Sequence, residues 1–101
     1  MKVYIRRKSV TICGMKLIPY EVCTHSTNCE ANRSFVKFEK RNGKWLLWDH
    51  INPCAGLHIH NFDELFTKIK SSISEQLKLG EGKIIAPDEI EIIGLHKILE
   101  K

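Results

Sequence analysis

The chain of 101 residues has no run approaching the ~20 consecutive apolar residues that a membrane span needs. Its opening Met1-Lys2-Val3-Tyr4-Ile5-Arg6-Arg7-Lys8 is charged, with no apolar stretch of signal-peptide length behind it. The expectation is a cytoplasmic protein without a membrane partner. A Gly-rich phosphate loop, a Gly-x-Ser-x-Gly elbow and a Cys-x-x-Cys pair are all missing, which removes the common signatures of nucleotide binding, α/β-hydrolase catalysis and dithiol redox chemistry. Internal repeats, low-complexity tracts and linkers are missing too, so residues 1–101 read as a single domain.

What is present is ordinary in bulk. Hydrophobic residues make up 43% and charged residues 28%, enough for one core and too balanced for disorder. Sixteen Lys and Arg against 12 Asp and Glu leave a net charge of +4, an excess compatible with nucleic acid or another anionic partner.

The exception is the stretch from Cys23 to His60, which holds Cys23, His25, Cys29, His50, Cys54, His58 and His60. In a reducing compartment such cysteines are expected as free thiols or metal ligands; in an oxidising one the chain's four cysteines can pair in three ways.

Hydrophobic patterning predicts an α+β fold: an antiparallel sheet of four to five strands, one long amphipathic helix on a face, and a shorter C-terminal helix. Val3-Tyr4-Ile5, Val10-Thr11-Ile12 and Met15 to Val22 read as strands, the last an edge strand or one interrupted at Pro19. Residues from Thr24 to Arg33 are polar and read as a loop. Asn42-Gly43 is a strong two-residue hairpin signal. Folding about it pairs Arg41 with Lys44 and Lys37 with Trp48, then Phe35 with His50. Val36, Phe38, Trp45 and Leu47 then share the core face. The opposite face carries Phe35, Lys37, Leu46 and Trp48, too apolar for water, and is either covered by the N-terminal strands or used as a protein interface.

Asn61 with Glu64 three residues on forms a variant capping box, and Phe62, Leu65, Phe66, Ile69, Ile73 and Leu77 follow at helical spacing up to a stop near Gly80. After Pro87 the pattern is read as helix, although Glu89, Ile90, Glu91 and Ile92 also alternate as a strand does.

Two constellations carry chemistry. Cys23 with His25, and His58 with His60, are pairs two residues apart, which an extended strand points to one face. Together they make a candidate zinc site of one thiolate and three imidazoles, with Cys29 or Cys54 as substitutes, though without the tight spacing of zinc fingers. Asp49-His50-Ile51-Asn52-Pro53, the loop through Gly56 and the helix opening at Asn61 form the second. Over about 17 residues this run resembles the ββα-metal core of HNH-type nucleases. The resemblance implies Asp49 as ligand to a divalent cation, His50 as general base and Asn61 as the brace of the loop. Where that family's helix supplies a further His or Asn ligand, this chain has Lys68, Lys70, Ser71 and Ser72.

The reading taken forward is a small non-enzymatic binding protein of inhibitor, immunity or phage accessory type, with another protein as partner. The nuclease built on Asp49 and His50 is the alternative.

Overall fold

In the computed structural model, which describes residues 1–24 and 34–94, the Asn42-Gly43 turn joins strands β5 (Ser34–Arg41) and β6 (Lys44–Trp48). Both turn residues have positive φ, 54° and 77°, as a two-residue turn matching the twist of its strands requires. The register runs from Arg41 opposite Lys44 to Lys37 opposite Trp48, as the sequence predicts. On one side of this ribbon lies β4 (Tyr20–Cys23), then β1 (Lys2–Arg7) and β8 (Glu91–Ile93); on the other lies β7 (Leu57–Ile59). The sheet order is β7-β6-β5-β4-β1-β8, with only the β1–β8 pair parallel.

Helix α1 (Phe62–Glu81) covers one face. Leu65, Ile69, Ile73 and Leu77 are buried against Val22, Val36, Phe38, Trp45, Leu47 and Ile59, and Phe62 and Phe66 complete a row of contacting rings from Tyr20 through Phe38 and Trp45. The side chain of Asn61 accepts from the Glu64 amide at 2.8 Å. The helix runs through Gly80 and stops at Gly82, whose φ of 67° lets its amide turn back to the carbonyls of Leu77 and Lys78.

Strands β2 (Val10–Ile12) and β3 (Met15–Leu17) pair with each other in a separate two-stranded sheet. They form an arm between β1 and β4, turned at Cys13-Gly14 with φ of 48° and 87°. The stretch from Met15 to Val22 is indeed interrupted before β4, at Ile18-Pro19.

Three expectations change. The main sheet has six strands, because Leu57–Ile59 adds to β6 and the tail adds to β1. Within the described residues the tail after Pro87 is a 3₁₀ turn, Pro87–Glu89, followed by β8. Pairing β8 with β1 satisfies an otherwise open strand edge while burying Ile90 and Ile92, and the amide of Glu91 donates to the Met1 carbonyl at 2.8 Å. Finally, the β4–β5 register shifts between Val22 and Cys23, so that Val22 faces Val36 and Cys23 faces Ser34. Phe35 is the unmatched residue, and such a bulge re-aims a side chain. It packs in the main core cluster at 4% exposure instead of standing opposite His50. No described helix is long and apolar enough to cross a membrane.

Candidate functional site

Where β5 begins and β6 ends, the sheet meets the arm, the loop from Asp49 to Gly56 and the second half of α1 around a cleft of about 440 Å³. Phe35, Val36 and Trp48 give it an apolar lining. Lys37 and His50 supply cationic or proton-bearing groups, and Gln76 reaches it from the helix. Thr11, Ile12 and Cys13 of the arm form one wall, and Pro53 and Cys54 of the loop form another. A disulfide between Cys13 and Cys54, with Cα atoms 5.6 Å apart, joins these two walls.

The loop is held from within. Asp49 Oδ1 accepts from the amides of Ile51 at 2.9 Å and Asn52 at 2.8 Å, an Asx-type turn that stops β6 and starts the loop. The indole N–H of Trp48 donates to the Cys54 carbonyl at 3.3 Å, drawing the loop over the ring. Gly56 lies against Leu46 and Trp48, so closely that a Cβ there would come within 2.9 Å of Leu46 Cδ1. His50 Nε2 stands 3.7 Å from Glu75 Oε1 of α1, with both side chains partly exposed. Lys37 Nζ donates to Ser34 Oγ at 3.4 Å.

Of the interface residues read from the sequence, Phe35, Lys37 and Trp48 line this cleft, whereas Leu46 lies in a separate concavity with Arg41, Lys44 and His58. Phe35 and Trp48 are only 4% and 3% exposed, so of the two readings of that face, covered or open to a partner, these two residues take the covered one: the bulge turns the first into the core, and the loop closes on the second. Asp49 and His50 line the same cleft, but Asn61 caps α1 and does not.

Two members of the zinc set lie apart. Cys23 lies on β4 and His58 on β7, three strands apart and hence about 14 Å in strand spacings alone. His60 is exposed just before the helix cap, and His25 and Cys29 fall outside the described residues. Among the described residues no group of three or more His, Cys, Asp or Glu side chains is placed to hold a metal ion, at Asp49 or elsewhere. Cys13 and Cys54, which a reducing compartment would leave as free thiols or ligands and an oxidising one could pair, are paired and exposed, which removes Cys54 as a ligand. Cys23 is a free, buried thiol. Burial pushes it up to about 11 from 9.0, with the Glu21 carboxylate adding to the rise and Arg6 opposing it.

The sequence reading missed the cleft's walls. The arm was visible as two short strands about Cys13-Gly14, but its return over Trp48 depends on tertiary contact. No protein family, no curated protein and no solved structure matches this chain.

Proposed function

We propose that the chain is a small non-enzymatic binding protein, of inhibitor, immunity or phage accessory type, that engages another protein through the cleft between arm and loop. The observation that carries the reading is a cleft of about 440 Å³ that brings Lys37 and His50 together beside the largely buried rings of Phe35 and Trp48, a concavity with few polar groups of the kind recognition sites use. Of the polar atoms a hydrolytic reading requires, Asp49 Oδ1 is engaged by two loop amides and Asn61 Oδ1 by the helix. With a net charge of +4 and these two groups at the rim, the partner presents an acidic segment. A cytoplasmic location is part of the proposal.

The test is affinity purification of the full chain and of Lys37→Glu, followed by mass spectrometry. A stoichiometric protein retained by the parent chain and lost from a variant with unchanged circular dichroism supports the proposal. Recovery of nucleic acid alone, released as salt rises, sinks it.

One observation favours the nuclease as a second reading. Strands β6 and β7 and helix α1 follow one another as β-β-α, with Asp49 and His50 directly after the first strand. Since the described residues do not complete a metal site, no catalytic step is derived. Plasmid nicking with magnesium, manganese or nickel tests it, and activity that survives His50→Ala refutes it.

A further inference from the structure

The cleft's two walls come from separate parts of the chain, and the bond between them is exposed. The arm belongs to a sheet of its own and makes no strand pairing with the six-stranded sheet. Besides Cys13–Cys54, its restraints include the buried side chain of Ile12, which is 7% exposed, the half-buried Val10 and Leu17 that pair with each other at its base, and Arg7 Nη2 donating to the Ile18 carbonyl at 3.0 Å at its root. Those contacts involve one fully buried apolar side chain, two half-buried ones and one exposed hydrogen bond, each a modest restraint. The tip of the arm, Thr11, Cys13, Gly14, Met15 and Lys16, is exposed. A segment with few buried contacts opens at low free energy once a covalent tie is cut.

We infer that Cys13–Cys54 is a thiol-exchange site that latches the arm across the binding cleft, so that a dithiol reductant opens the cleft. The inference rests on the binding reading above for its purpose, not for its mechanics. One thiolate of the dithiol attacks a sulfur of Cys13–Cys54, forming a mixed disulfide as the protein S–S bond breaks. The second thiol of the reductant then displaces the protein sulfur. Cys13 and Cys54 leave as two thiols, the reductant as its disulfide, and two electrons and two protons have passed to the protein. In a reducing compartment, an exposed disulfide is characteristically transient and redox-sensing, which suits a latch better than a permanent staple. Cys23 does not compete. It lies buried on β4 and is held in its thiol form, whereas exchange needs thiolate.

The full chain is compared oxidised, reduced by dithiothreitol, and as the Cys13→Ser/Cys54→Ser double variant. Hydrogen exchange read by mass spectrometry and acrylamide quenching of tryptophan fluorescence report the latch without any partner. The expected result is several-fold faster exchange over residues 10–17 and stronger quenching in both the reduced chain and the double variant, with exchange over Phe62–Glu81 unchanged. Equal exchange and quenching in all three forms overturns the latch. Equal acceleration across the helix also overturns it, because the bond is then a staple of the whole fold. Partner capture by the same three forms separates the two proposals: an arm that opens while no form captures a protein removes the binding reading and leaves the latch standing.

Discussion

Arg6 on β1 and Glu21 on β4 face each other across the sheet, with Nη2 3.3 Å from Oε2 and side chains only 11% and 2% exposed. The same carboxylate oxygen accepts from Cys23 Sγ at 3.6 Å. A buried carboxylate is tolerated here because a guanidinium meets it, and removing one partner strands the other. Arg6→Ala is therefore expected to cost about 3 to 5 kcal/mol in urea unfolding, whereas Arg6→Met combined with Glu21→Met recovers most of the loss. A single-variant loss under about 1 kcal/mol would show that Glu21 finds water instead.

Cys23 gives the chain a pH dependence with a definite sign. Its thiol is pushed up to about 11 from 9.0, chiefly by burial. Between those values the unfolded chain has lost the proton and the folded chain has kept it, so this contribution is complete below pH 9.0 and is lost as pH rises through about 11. The slope is at most about 1.4 kcal/mol per pH unit. Denaturation midpoints of the parent chain should fall faster across this window than those of Cys23→Ala. Parallel profiles would mean the thiol titrates alike in both states.

The hairpin, its core face and the helix were legible because each is a local matter: Asn42-Gly43 sets the register, and the stripe from Phe62 to Leu77 sets the buried face. Phe35 was misplaced because one extra residue at the β4–β5 bulge is invisible to strict alternation. The tail was misread for a related reason. Ile90 and Ile92 carry a strand pattern that only the open edge of β1 makes decisive, and that edge is 89 positions away in sequence for every paired residue, as Tyr4 opposite Ile93 and Lys2 opposite Glu91 show. The Cys13–Cys54 pairing is non-local too, 41 positions apart in sequence. At the site, Asp49 and His50 follow directly on β6, as the local pattern predicts, whereas nothing local selects Cys13–Cys54 among the possible pairings or places that bond beside the cleft.

Gly56 and Gly43 separate two costs of replacing glycine. Both have positive φ, 73° and 77°, so alanine is strained at each by about 1 kcal/mol. At Gly43 a Cβ meets nothing within 4 Å, but at Gly56 it meets Leu46 Cδ1 at 2.9 Å and Trp48 Nε1 at 3.1 Å. Gly56→Ala should therefore cost about 1 to 3 kcal/mol more than Gly43→Ala by thermal or urea unfolding. It should also loosen the Trp48 indole bond to Cys54, seen as faster exchange of that N–H by NMR. Equal losses at the two glycines would mean that the loop moves aside freely.

Asn61 decides between capping and a brace for catalysis. Its Oδ1 accepts from the Glu64 amide at 2.8 Å, with Asp63 and Glu64 in the first turn of the helix. Loss of a cap costs about 1 kcal/mol, and aspartate caps about as well as asparagine. Asn61→Ala should thus lower stability by about that amount, while Asn61→Asp stays close to the parent chain, less a small penalty for a third carboxylate beside Asp63 and Glu64. Measured together with plasmid nicking, the pair is diagnostic. If nicking occurs and Asn61→Asp abolishes it at unchanged stability, Asn61 acts on the loop beyond its cap and the nuclease reading gains; if only stability responds, and only to alanine, the residue is a cap.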